Sequence, residues 1–192
     1  MNSKTIMYVA AVFIALTIIM AGLFVFEYSA ASSQKTSYNS VKADYQNQQS
    51  SVVLNNAYAH WDYIAIENAS LLKPQYLGNA TLHWIGGPLN GTYSGISQIN
   101  TTWNRFFGLW SAVWFYAEAP PTVTLAGNTA NVSADVQFVV QNAANTSQFK
   151  YINVSYDIMY YNTGYSTAHG LPEYMIYDET FRITGSNVLS KI

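Results

Sequence analysis

The sequence predicts an α+β chain: an N-terminal transmembrane helix, then a domain whose helices come first and whose long antiparallel strands come after. Three observations carry this. Thr5 to Phe26 holds no charged residue. From Val53 the apolar residues recur at helical spacing, and from Val113 onward they alternate.

The segment Thr5–Phe26, flanked by Lys4 and Glu27, is 22 residues long. As a helix it measures about 33 Å, enough for a hydrocarbon core of about 30 Å. Gly22 is its one helix-weakening residue, and membrane spans tolerate glycine well. Ser29-Ala30-Ala31 offers a small-residue cleavage site, so removal of the segment stays open. Against removal, the run exceeds the roughly 7–15 apolar residues of a secretory signal core. Either way, the chain beyond Glu27 is expected across the membrane.

Basic residues orient the span poorly, with Lys4 before it and Lys35 and Lys42 after it. Asn-x-Ser/Thr sequons are more informative. They begin at Asn68, Asn79, Asn90, Asn100, Asn131, Asn145 and Asn153, all beyond the span. With 17 Asn in the chain, chance gives roughly three such triplets. The excess marks these positions as glycan acceptors on an extracellular domain, with the N-terminus inside.

Charged residues make up 9% of the chain, against about 25% in ordinary soluble proteins. Amides, hydroxyls and 16 Tyr replace them. Such a surface suits an acid-facing, archaeal-type cell exterior, where carboxylates protonate and ion pairs fail. A net charge of -2 gives no basic footprint for nucleic acid. With no cysteine there are no disulfides, thiol nucleophiles or cysteine-held metals. No cofactor motif is present, and the three histidines make no metal-ligand spacing.

The chain thus divides into residues 1–27 as anchor, 28–50 as a polar stalk, and 51–192 as one domain. The stalk is rich in Ser and Gln, lacks Pro and Gly, and is expected to be partly helical. Val53, Ala57, Trp61, Ile64 and Ala65 form the buried side of a first helix. A short helix over 68–73 must end before Pro74. ATLHWIGG (80–87) alternates, and Pro88-Leu89-Asn90-Gly91 turns it into a short strand over 92–95. Ile96 to Trp110 returns to helical spacing, with Ile99, Trp103, Phe106, Phe107 and Trp110 on one side. Strands are expected over 113–119, 122–125, 130–140, 151–161 and 173–183, with VLSKI as a last piece. Pro120-Pro121 fits a bulge or an edge, since proline cannot donate to the ladder.

The passage ATLHWIGGPLNGTYSGISQINTTWNRFF and the terminal FRITGSNVLSKI resemble the nuclear transport factor two-like (SnoaL-like) superfamily. The likeness spans about residues 50–192. It implies a cone-shaped curved antiparallel sheet packed on about three helices. It says little about activity, because this scaffold hosts isomerases, cyclases, hydrolases and non-enzymes. In the ketosteroid-isomerase branch an aspartate base follows the first strand of that passage; here Trp84 stands there.

The resemblance implies a pocket inside the cone, and Leu82, Trp84, Trp103, Trp114 and Tyr177 are its expected lining for a small apolar ligand. The tryptophans Trp61, Trp103, Trp110 and Trp114 serve equally as core. Period-two alternation sends Thr81 and His83 away from that side. On the last long strand Met175, Tyr177, Phe181 and Ile183 are expected to share a face with Glu179. A carboxylate among aromatic rings is either an acid or base, or a structural group held by tyrosine hydroxyls. The pairs His60/Asp62 and His169/Glu173 lack a third partner at recognisable spacing. Asn131, Ser133, Asp135 and Gln137, with Asn153, Ser155 and Asp157, predict a polar, sugar-coated outer sheet.

Three function classes fit. The first is an anchored extracellular binding or accessory module, partnered with a membrane or cell-surface complex. The second is an isomerase- or cyclase-type enzyme using Glu179 in the cone. The third is a pilin-like filament or envelope subunit, against which the absence of a basic leader ending in Gly or Ala before the apolar helix speaks.

Overall fold

A computed structural model describes residues 3–167 and 171–190; for a few stretches within these, chiefly 3–19 and 21–26, the side chains are not described. By internal packing the chain divides into two units, Met1–Asn47 and Gln48–Ile192. Residues 3–47 of the first unit lie in helix α1 (Ser3–Ala65). The stalk is thus helical throughout, beyond the partial helix expected. Thr36 Oγ1 and Ser40 Oγ donate to carbonyls four and three residues back, so its hydroxyls add to the helix without breaking it. Thr5–Phe26 is helical in backbone, but its expected lipid-facing side chains, Met20 apart, lie outside the described residues. Among the described residues no helix is long and apolar enough to cross a membrane.

In the second unit α1 buries Val53, Ala57, His60, Trp61 and Ile64 along one stripe. It ends where Glu67 takes a positive φ of 58° and Asn68 N–H closes back on the Tyr63 carbonyl. Helix α2 (Ala69–Leu72) and a 3-10 turn (Lys73–Gln75) come next, and Pro74 stops the helix. Then come β1 (Tyr76–Ile85), β2 (Gly91–Ser94), α3 (Ile96–Leu109), β3 (Trp110–Ala117) and β4 (Thr122–Ala126). β5 (Thr129–Asn142), β6 (Asn145–Ser166) and β7 (Pro172–Ser190) complete the fold. β6 and β7 run on through Gly164 and Gly185, where a loop and a separate last strand were expected.

The strand order is β2-β1-β7-β6-β5-β3, with β4 also on β5. The sheet is mixed, not wholly antiparallel as the sequence predicts: β1 and β7 pair in parallel. The first and last strands are neighbours inside the sheet, and alternation cannot reveal their relative direction. Bulges between Asn153/Val154 and Met159/Tyr160 bend the β6–β7 ribbon. The curved, open sheet and three helices make the cone.

The cone's inside is filled with rings. Trp84 stacks on Phe181 at 4.9 Å and packs against Trp103 and Phe106 at 5.8 and 5.2 Å. Phe138 closes the layer against Phe106 and Phe115. At the β1–β2 turn Gly87 has φ +69°, and a Cβ there would stand 2.9 Å from Ile183 Cδ1.

Packing ranks two tryptophans. Trp84→Ala, emptying a site 3% exposed, is expected to cost about 3–5 kcal/mol. Trp114→Ala, at 55% exposure, should stay within about 0.5 kcal/mol of wild type. Thermal melts of both variants check this; Trp84→Ala melting like wild type would mean its ring is not in the core.

Candidate functional site

The inner faces of β1, β6 and β7 meet α1 and α3 around one carboxylate. Glu179 lies on β7 just beyond a bulge. Tyr160 pairs with Ile176 but Met159 pairs with Asp178, which leaves Tyr177 as the extra residue. The inward parity therefore switches from Tyr174 and Ile176 to Glu179 and Phe181. This corrects the expected face: Phe181 and Ile183 share it with Glu179, while Met175 and Tyr177 do not.

Glu179 is wholly buried, as is His60. His60 Nε2 lies 2.9 Å from Glu179 Oε1, and the Tyr156 hydroxyl donates to the same oxygen at 2.7 Å. The Tyr76 hydroxyl donates to Oε2. Trp103 Nε1–H donates in turn to the Tyr76 oxygen at 2.9 Å. The second ring nitrogen of His60, Nδ1, is 2.6 Å from Gln75 Oε1. A buried carboxylate is costly unless its oxygens are met by donors, and here both are.

Each partner is placed by simple local rules. His60 sits three residues past Ala57 and four before Ile64, on the buried stripe of α1. Tyr156 shares the inward parity of Ile152, Val154 and Ile158 on β6. Tyr76 opens β1 directly after the turn that Pro74 imposes, which also brings Gln75 beside His60. Burial, and then the charge of Glu179, push the hydroxyls of Tyr76, Tyr156 and Tyr160 well above 10.0. The Tyr160 hydroxyl is buried without a partner. At Gln75 and Tyr160 the cluster borders a cleft of about 210 Å³, lined also by Asn56 and Glu173.

No family model matches the sequence, and no curated protein matches it. Solved structures do. The chain is similar to a protein of the nuclear transport factor 2-like superfamily from Salmonella enterica serovar Typhimurium. The TM-score is 0.61 at 17% identity, covering 73% of this chain and 96% of that one. The fold is nuclear transport factor 2-like. A provisional scytalone dehydratase of Novosphingobium aromaticivorans gives a TM-score of 0.62 at 10% identity, over 76% of this chain and 90% of that one. A hexachlorocyclohexane dehydrochlorinase of Novosphingobium barchaimii gives 0.58 at 15% identity, over 73% and 89%. Likeness at this level concerns the fold, not the chemistry.

Within this nuclear transport factor 2-like cone, Leu82, Trp84 and Trp103 lie together in the core. Among the described residues, these three line neither the cleft at Gln75 and Tyr160 nor the one beside Tyr177. Trp114 is a correction. It pairs with Val139 while Phe115 pairs with Phe138, so Phe115 points inward and Trp114 outward, stacked on Phe149 at 6.3 Å. Tyr177 is the other correction. The bulge turns it to the outer side, where it borders a cleft with Leu77, Asn79 and Asp178.

His60 and Asp62 face opposite ways on α1, one buried and one exposed. His169 lies outside the described residues; Glu173 accepts from Thr163 Oγ1 at 2.7 Å. His83 is half-buried between Thr92 Oγ1 and Asp178 Oδ2, each 3.1 Å away. Among the described residues no group of His, Asp and Glu could hold a metal. Of the sequon residues, Asn79, Asn90, Asn145 and Asn153 are exposed, while Asn68, Asn100 and Asn131 are half-buried. The Asn131 amide nitrogen, the atom a glycan would take, donates to Ser133 Oγ at 2.8 Å. The outer sheet is polar along 131–137 and 153–157 but also carries Trp114, Tyr116 and Phe149.

The tyrosines give a pH signature. An unfolded tyrosine ionises near 10, whereas these three hold their protons more tightly in the fold. Their contribution to stability is therefore complete below about pH 10 and is lost as pH climbs from there toward the folded values. Near-ultraviolet absorbance should show Tyr76, Tyr156 and Tyr160 silent until alkaline unfolding. Ionisation of all 16 tyrosines before any loss of circular dichroism would contradict the burial of this cluster.

Proposed function

We propose that the chain is a membrane-anchored, glycosylated extracellular module that binds a partner or ligand and does not turn one over. One observation carries the non-catalytic part. Both oxygens of Glu179 and both ring nitrogens of His60 already have protein partners, in a core with no exposure. A general acid or base must reach the proton it moves, directly or through one water. No atom of this pair is free to do so. The uncharged Thr5–Phe26 segment, helical within α1, supports the anchor. The excess of sequons, with Asn79, Asn90, Asn145 and Asn153 at exposed positions, supports glycosylation and an outside domain.

The enzyme reading has its own support. A histidine–glutamate pair flanked by tyrosine hydroxyls is acid–base equipment, and proteins of this fold include a dehydrochlorinase. It requires His60 to exchange Gln75, the partner that borders the 210 Å³ cleft, for a substrate.

Two measurements on the full-length chain decide between them. After carbonate washing the protein should remain in the membrane pellet, carry added glycan mass, and co-purify from mild detergent with a membrane or surface protein. A bare species beginning near Ser32 in the medium would overturn the anchored reading. Glu179→Gln should destabilise by about 1–3 kcal/mol, because an amide N–H then faces groups that themselves donate. Loss of a dehydratase-type turnover with melting unchanged would instead establish the enzyme.

A further inference from the structure

We propose that the groove between α1 and the β3–β4 turn is a site for a small alkylated ammonium ion carrying an oxygen acceptor. The groove holds about 480 Å³. Tyr58, Trp61 and Asp62 reach it from one turn of α1, Phe115 from β3, and Glu118 from the turn beyond. The rings form a bent wall. Tyr58 meets Trp61 edge-on at 5.3 Å and 85°, and Trp61 meets Phe115 at 5.4 Å and 48°.

Charge selects the ligand. The ionisable groups lining the groove, apart from tyrosine, are the exposed carboxylates of Asp62 and Glu118, and none of its described lining residues is basic. Aromatic faces attract cations through their quadrupoles, and alkylated ammonium ions sacrifice little hydration on leaving water. The second, independent observation is Trp61 itself. It is 4% exposed, it lines the groove, and its indole N–H is buried without an acceptor. Entry of the ligand between the rings opens that N–H, and a ligand oxygen a few bonds from the cationic nitrogen then accepts from it. Choline has this pattern.

The site deepens the reading of the domain as a binding module and rests on that reading for its purpose, though not for its chemistry. The test is a titration of the purified full-length chain with choline, followed by tryptophan fluorescence and calorimetry. The control titrant is 3,3-dimethylbutan-1-ol, which has the same shape and no charge. Choline should bind saturably, and the neutral isostere at least about tenfold more weakly. Asp62→Asn and Glu118→Gln should each weaken choline binding several-fold with unchanged melting. Equal binding of the isostere would show an ordinary apolar groove and overturn the proposal, as would the absence of saturable choline binding. Neither result bears on membrane retention or on a co-purifying partner, so the two readings fail separately.

Discussion

The fold is organised around one carboxylate buried where water cannot reach it. Glu179 comes from the strand at the middle of the sheet, and its partners come from β6, β1 and α1, with α3 attached through Trp103. An unpaired charge in such a place would be strongly destabilising, so every element that supplies a donor is held to its position. Gln75 extends the constraint to the turn before β1. Non-directional ring packing would permit several arrangements of these helices on the sheet. The hydrogen-bonded cluster is compatible with few.

Beside this cluster Leu82, Trp84 and Trp103 are buried among rings. The inside of the cone is filled by tryptophan and phenylalanine, and its buried polar residues face one another. Groups engaged in this way stabilise and specify. On the flank of the domain, Tyr58, Trp61 and two carboxylates border a groove at the β3–β4 turn.

Much of the fold was legible in the sequence, because periodicity survives translation into burial. The stripe of α1, the heavy side of α3, and the inward residues of β5 and β6 all follow spacing. What was missed depends on non-local pairing. The parallel match of β1 with β7 leaves no trace in alternation, and the bulge at Tyr177 breaks it without a glycine or proline to announce it. Trp114 illustrates a weaker limit: in VWFY two adjacent rings compete for the inside, and register with β5 decides for Phe115. Glu179 was visible as a carboxylate among aromatics. His60 carried a signal too, lying on the buried stripe of α1, but its partner stands 119 residues away. The assembly of His60, Tyr76 and Tyr156 around Glu179 exists only once the sheet has closed.

The most direct test of this constraint is a double-mutant cycle in the full-length chain, pairing Tyr76→Phe with Tyr156→Phe under denaturant unfolding. Each single change removes one donor from Glu179 without altering the ring that fills the core. Each should cost about 1–3 kcal/mol, with a coupling of at least about 0.5 kcal/mol between them, since both serve one buried charge. Single variants as stable as wild type, with strictly additive effects, would show that the cluster does not hold the cone together.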